Sequence, residues 1–234
     1  MKILTWNCNG AFRKKYQEIE RFQADLYVIQ ECENPEHTKG EYRNWAGSYL
    51  WYGDNKNKGI GIFAKNGVEI QRLDWKDNSL QLFLPVRVNN QFNMIGVWTK
   101  QANSPTFRYI GQLWKYLELH KEKMAAGSTV LCGDLNSNKI WDVWDRWWNH
   151  SDVVRELDAV NMQSLYHLAT GEEQGSESAP TLYLQRNLKK AYHIDFAFAS
   201  EGMFNPQKDT ITVGSHNPWL EFSDHAPVIF TIAC

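Results

Sequence analysis

Paired cysteines are missing from this chain. Its four, Cys8, Cys32, Cys132 and Cys234, lie far apart with no CxxC spacing, which argues against both a zinc cluster and a disulfide framework. Three of them sit in apolar runs, where cysteine packs as a small hydrophobe, so reduced thiols and a cytoplasmic setting are expected. Long hydrophobic runs are missing too. Nothing approaches a membrane span, and the opening "MKILTWNCNG" has too short an apolar stretch for a signal peptide, so the expectation is a soluble, unprocessed protein with no membrane partner. Nor does one sign of charge dominate: Lys and Arg number 25, Asp and Glu 27, for a formal charge of −2. No basic tail predicts nucleic acid by itself, which leaves a local basic patch as the only electrostatic route to it. Repeats, low-complexity tracts and interdomain linkers are also lacking. With 234 residues, 43% of them hydrophobic, one domain over 1–234 with a substantial core is expected, as a monomer with no protein partner.

What is present is a succession of short apolar runs: "KILTW", "LYVIQ", "SYLWYG", "IGIFAK", "LQLFLPVRV", "FNMIGVW", "TVLCG", "PTLYLQ", "HIDFAFA" and "APVIFTI". Their lengths and their bounding Gly and Asn residues predict strands. One long helical pattern interrupts them, "SPTFRYIGQLWKYLELHKEKMAAG", with Ser104 as N-cap, Pro105 in the first turn, Gly127 as the stop and a face of Phe107, Ile110, Leu113, Trp114 and Leu117. Shorter helices are expected near 13 to 23 and 152 to 160, the second capped by Ser151 or Asp152. The polar "GEEQGSESAP" at 171 to 180 reads as an exposed loop. Many strands with few helices predict a layered α/β domain, sheets packed on each other and helices outside.

The strand ends carry the chemistry. Asn7 and Asn9 follow "KILTW", Glu31 follows "LYVIQ", Asp134 and Asn136 follow "TVLC", Asp195 interrupts "HIDFAFA", and Asp224 with His225 precedes the last strand. Singly, each is well explained as a turn former or a solvated strand end. Several acids converging on one rim would need a divalent cation, a histidinium, or both, because a buried carboxylate without compensation is costly.

In order along the chain, "TWN" at 5 to 7, "IQE" at 29 to 31, "GDLN" at 133 to 136, "HIDFAFAS" at 193 to 200 and "SDHAPV" at 223 to 228 resemble the motifs of the endonuclease/exonuclease/phosphatase superfamily, which contains exonuclease III, AP endonucleases and DNase I. The resemblance runs from the first strand to the last. It implies a four-layered α/β sandwich with two central mixed sheets packed face to face, and phosphoester hydrolysis assisted by Mg2+, for which Mn2+ would substitute; an oxygen-rich donor set suits such a hard cation better than zinc. By the same resemblance Glu31 is a principal metal ligand, with Asp224, Asn9 and Asn7 near the ion directly or through water. Asp134 is the general base for the attacking water, and Asn136 aligns it. His225 donates to a nonbridging phosphate oxygen, and Asp195 fixes its tautomer or keeps it protonated. His193 either supports the site or packs beside it. One departure stands out: where many relatives place a phosphate-contacting Tyr or His, this chain has Trp98, which cannot ionise, so Thr99, Lys100 or Gln101 would take over that contact.

DNA, most simply a duplex, is the substrate implied, with Trp98, Lys100, Arg186, Lys189, Lys190 and Trp219 as candidate contacts. The stretch "RNLKKAYH" runs directly into the Asp195 strand, so its cations must end near the site. The tryptophans of "WDVWDRWW" interleave with charge, yet Trp141, Trp144 and Trp148 fall on one helical face, which is the pattern of a buried stripe. "HSD" at 150 to 152 cannot be a triad, because contiguous residues do not converge. Two alternatives remain: a phosphatase or phosphodiesterase of the same superfamily acting on a phosphoinositide, sphingolipid or nucleotide, and a non-catalytic binding protein on the same fold. "GDLNSN" and "KKAYHID" differ from the "GDxNYR" and "PAWCDR" stretches of inositol phosphatases, and all the motif acids are retained, which weighs against both.

Overall fold

Strands apolar at every position need cover on both faces. The computed structural model describes residues 1–101 and 104–233, so Cys234, expected as a reduced thiol, lies outside the described residues. One sheet contains β1 (Lys2–Asn7), β2 (Leu26–Cys32), β3 (Ser48–Asn55), β4 (Lys58–Ala64), β13 (Ile211–Val213) and β14 (Val228–Thr231), in the order β13-β14-β1-β2-β4-β3. A second contains β5 (Ile70–Arg72), β6 (Phe83–Val88), β7 (Phe92–Trp98), β8 (Thr129–Asp134), β9 (Met162–Ser164) and β12 (Asp195–Ser200), in the order β5-β6-β7-β8-β12-β9. A small hairpin joins β10 (Leu182–Tyr183) to β11 (Ala191–Tyr192). Both large sheets are mixed, with β1 parallel to β2 and β7 parallel to β8.

Alternation sorts each strand between two cores. Ile3, Val28 and Ile62 of the first sheet meet Leu84, Met94, Val130 and Ala197 of the second between the sheets. Leu4, Trp6, Tyr27 and Ile29 face outward onto Phe12, Tyr16 and Tyr42, carried by and around α1 (Tyr16–Glu20) and α2 (Glu41–Ala46). On the other side, Ile95, Leu131, Phe196 and Phe198 pack on α3 (Ile110–Ala125) and α4 (His150–Asp158). The short α5 (Leu165–Thr170) and α6 (His216–Trp219) lie in connections. The layers are therefore helix, sheet, sheet, helix, as expected. Gly96 marks a close approach of the sheets: a Cβ there would lie 3.0 Å from both Ile60 Cδ1 and Val28 Cγ1. No helix among the described residues is long and apolar enough to cross a membrane.

Local expectations failed in instructive ways. The helix expected from Ser104 starts at Ile110: the Ser104 hydroxyl accepts from Phe107 N at 2.8 Å in a separate turn, and Tyr109, at φ +51°, breaks the continuity. The helix expected near 13 to 23 splits into a 3-10 turn at Phe12–Lys14 and α1. Asn149, not Ser151 or Asp152, caps α4; Asp152 sits at the third helical position and accepts from Asn149 N at 2.7 Å, the reciprocal bond of a capping box. The tryptophan stripe does not form, because residues 142 to 148 are not helical. Trp144 is 96% exposed and Trp147 66%. The loop at 171 to 180 is less solvated than its composition suggests, since Glu177 is held by His167 and by Asn138 at 3.1 and 3.0 Å.

Gly133, next to Asp134 in β8, has φ +141°, and a Cβ there would lie 1.9 Å from the Val97 carbonyl oxygen of the adjoining strand. Backbone cannot yield that distance. Gly133→Ala should therefore cost more than about 4 kcal/mol, read as a collapse of the urea midpoint or a failure to accumulate folded protein, whereas Gly127→Ala, with open space around its Cβ, should leave the midpoint nearly unchanged.

Candidate active site

The strand parity that builds the core also builds the site. Following the inner face of each strand to its end, Ile3 and Thr5 lead to Asn7, Val130 and Cys132 lead to Asp134, and Ala199 and Ala197 lead back to Asp195. Asp134 and Asp195 are register partners across β8 and β12. By parity Glu31 would point outward with Tyr27 and Ile29. Instead the β2–β4 ladder slips between Gln30 and Cys32, and Glu31 adopts φ +62°, a β-bulge conformation uncommon for a residue with a side chain, which re-aims it. Its Oε1 then lies 3.5 Å from Asn7 Nδ2.

Asp134 is the hub. Asn7 Nδ2 and Asn136 Nδ2 each donate to its Oδ2 at 2.9 Å, and Asn136 N donates to Oδ1 at 2.8 Å. Asn136, at φ +45°, is fixed further by donating to Thr99 O at 3.0 Å. Asp195 Oδ2 takes His225 Nδ1 at 2.8 Å, while Oδ1 is buried with no hydrogen-bond partner among the described residues. The segment carrying His225 is tied to β1: Ser223 Oγ donates to Asn7 O at 2.7 Å, His225 N donates to Ser223 Oγ at 3.0 Å, and Trp6 Nε1 donates to His225 O at 2.9 Å. Thr181 Oγ1 accepts from both Ile194 N and Asp195 N at 2.9 Å. One oxygen each from Asp134 and Asp195 and a ring nitrogen of His225 fall within 4.8 Å of one another, all buried.

The family model for the endonuclease/exonuclease/phosphatase family matches residues 4–225. The chain belongs to this family. Enzymes of the family hydrolyse phosphoester bonds, generally with a divalent metal. No curated protein matches by sequence. Among solved structures, a 3′-5′ exonuclease (NExo) from Neisseria meningitidis aligns over 100% of both chains at TM-score 0.70 and 19% identity. A Neisseria 3′ phosphatase NExo bound to a product DNA hairpin aligns at 0.73 and 19%, and an AP endonuclease from Archaeoglobus fulgidus at 0.72 and 16%, each over 100% of both chains. At these identities the likeness is one of fold.

Within the family fold, the electrostatics separate two roles. Burial pushes the Asp134 carboxyl up to about 7 and the Asp195 charge adds to this, while His225 and the amides of Asn7 and Asn136 pull it back. Burial opposes the His225 imidazolium, but Asp195, with Asp134 and Asp224, more than compensates and raises it to about 10. A histidine held protonated, with Nδ1 bonded to a carboxylate, has no lone pair for a metal. With His225 protonated, the close-set trio is a charge-compensated acid and imidazolium cluster. The donors that fit a hard cation stand beside it, all oxygen: the Glu31 carboxylate turned inward by its bulge, Asn7 Oδ1, and the half-buried Asp224. Asn9, exposed and at φ +52°, donates its N–H to Asn7 Oδ1 at 3.0 Å, so its backbone orients that oxygen. Lys58 Nζ pairs with Glu31.

The residues proposed to touch substrate are dispersed. Trp98 is 7% exposed in the intersheet core beside Asp134, and Trp219 is 3% exposed, its ring 5.4 Å from Trp6; both are packing residues that leave no ring face for a ligand. Lys100 lies over the Trp98 ring and pairs with Asp54 at 3.4 Å. Arg186, Lys189 and Lys190 are exposed on the β10–β11 hairpin, which Tyr183 N anchors to Asp224 O at 2.8 Å. Burial lowers the pKa of Lys15 and the Arg186 charge adds to it, with Asp224 opposing, so Lys15, Arg186 and Asp224 share one rim. Ser223, Thr181, Lys58 and Lys15 went unassigned from sequence. Ser223 had a signal in its place inside "SDH", and Lys15 in the basic and aromatic interleaving of "FRKKY" at 12 to 16.

Linkage gives a sign. Because the folded His225 titrates near 10 against an ordinary 6.5, its contribution to stability is complete below pH 6.5 and is lost as pH rises through 10. Urea midpoints of the wild type should fall across that window. Asp195→Asn should flatten the fall, and the NMR-observed imidazole pKa should drop by more than one unit; an unmoved imidazole pKa would remove the pairing.

Proposed function

We propose that this protein is a magnesium-dependent phosphodiesterase that cleaves DNA by attack of water on phosphorus, acting as one domain over 1–234. The observation that carries the reading is the Asp134 hub: a buried carboxylate clamped by two asparagines, opposite an Asp195–His225 pair and beside an inward-turned Glu31. Two proteins of the same fold, NExo, known as a 3′-5′ exonuclease and as a 3′ phosphatase bound to a product DNA hairpin, and an AP endonuclease, act on DNA, which supports DNA over a lipid headgroup. The exposed cations of the β10–β11 hairpin suit a phosphate backbone.

Glu31 and Asp224, with the Asn7 oxygen, would hold the ion, which when bound polarises the phosphate and stabilises the leaving oxygen. Asp134, with its acidity moved close to neutral pH, takes a proton from the attacking water as the new O–P bond forms. Asn136 and Asn7 keep that carboxylate from rotating, so the base is oriented before substrate arrives. His225, oriented through Nδ1 by Asp195, offers Nε2–H to a nonbridging oxygen and meets the charge that accumulates there. The bond from phosphorus to the leaving sugar oxygen then breaks.

Purified protein should cut duplex DNA with magnesium, stop with EDTA and recover with magnesium or manganese; cutting that persists in EDTA would sink the mechanism. Asp134→Asn should lower kcat by about 10² to 10⁴ with a thermal midpoint close to wild type; His225→Ala should lower kcat by about 10² to 10³ and also lower the midpoint, because it strips the compensating charge from buried Asp195, so its kcat is read well below that midpoint. If phosphoinositides or free nucleotides are hydrolysed and DNA is not, the DNA assignment is wrong.

A further inference from the structure

Folding gains nothing from the surface of residues 140 to 147. Trp144 is 96% exposed, Trp147 66% and Ile140 54%, whereas large aromatics are ordinarily spent on core, and clustered exposed ones mark a binding surface. The segment is also tightly tied. Asn149 Oδ1 accepts from Val143 N at 2.9 Å and from Arg146 Nε at 2.7 Å, and its Nδ2 donates to Val143 O at 3.1 Å. The Asp142 carboxylate accepts from His150 N and Ser151 N at 2.9 and 3.2 Å. The indoles are therefore presented on a frame held before any ligand binds, which removes ordering cost from binding.

The same segment, through Trp141 and Arg146, borders the residues beside Asp134. Trp141 lies 5.0 Å from the Tyr192 ring, three residues before Asp195. A cavity of about 340 Å³ places Asn136 and Ser137 in one wall with Trp141, Trp148, Arg108 and Arg146. Its lining includes two guanidinium groups and two indoles, and Arg146 itself lies 4.5 Å over the Trp148 ring. A strand of nucleic acid offers phosphate to the first and a base to the second, and away from a duplex end only an unpaired base exposes its π-face to an indole.

Resting on the DNA phosphodiesterase reading of the cleft, we propose that Trp144 and Trp147, continued inward by Trp141, form a stacking platform for unpaired bases of single-stranded DNA adjoining the scissile phosphate. The enzyme's preferred substrate is then a duplex with a single-stranded segment next to the point of cleavage, in place of a fully paired one. The stacking contact is indifferent to base identity.

The test uses the full chain carrying Asp134→Asn to prevent turnover, with magnesium, and fluorescence anisotropy of three fluorescein-labelled DNA hairpins: blunt, with a single-stranded thymine extension, and with the same extension built of abasic sugar-phosphate. The thymine extension should bind more tightly than the other two. The double variant Trp144→Ala/Trp147→Ala should weaken binding of the thymine probe by about tenfold and bring it level with the abasic one. Phe at both positions should restore most of the preference. Because both side chains are exposed, an unchanged thermal midpoint confirms that folding is untouched. Equal affinity for thymine and abasic extensions, or a preference that survives the double Ala change, overturns the platform and points to a protein partner for the patch. If the wild type cuts DNA in parallel assays, only the platform has failed. If it neither cuts nor binds any hairpin, the DNA reading of the cleft has failed with it.

Discussion

Two carboxylates face each other across a pair of hydrogen-bonded strands, and the rest of the architecture answers that repulsion. Asp134 and Asp195 are register partners and nearly fully buried, an arrangement that alone would drive one of them neutral. His225 and the amides of Asn7 and Asn136 supply the compensation, and each comes from a different part of the chain. The topology follows from bringing them together. β14 returns antiparallel to β1, which sets the 223 to 225 segment beside Asn7, and the Ser223 and Trp6 bonds lock it there. Sheet order, strand parity and charge balance are one constraint seen at three scales.

Much of this was legible in residue order. Apolar runs located every long strand, and the acids and amides at their ends anticipated the rim on which they converge. What could not be read were features decided by tertiary contact. The short strands β5, β9, β11 and β13 have three residues or fewer and gain their pairing only from neighbours, so no periodicity announces them. Trp98 and Trp219 sit beside motif residues, which suggests contact with substrate, but parity sends one into the intersheet core, and a partner ring, Trp6, claims the other. For Trp144 the difference runs the other way: a helical wheel implies burial, and the chain there is not a helix. Thr181 and Lys58 join the site from loops and hairpins whose sequence carries no mark of it.

A formal charge of −2 is a poor guide to what the cleft attracts. Lys15, Lys58 and Arg186 stand at one rim with Glu31 and Asp224, so charges of both signs are matched locally and their total says little about the field a phosphate meets there. Nonspecific attraction to a polyanion is a property of the whole surface, and reception of a single phosphate is a property of the rim. Net charge speaks to the first property and site geometry to the second.

The thiols offer a different use of the same layering. Cys8 and Cys32 lie in the outer core of the first sheet and Cys132 between the sheets, all fully buried and unpaired. Burial pushes the Cys132 thiol up to about 12 and raises the other two as well, so none offers a thiolate to reagent while the layers are closed. Cys132 is reached only by parting the sheets, whereas Cys8 and Cys32 are reached by lifting the helices from one face. Site-resolved alkylation of the native protein thus becomes a clock with two hands, one timing the separation of the sheets and the other the undocking of the helical layer.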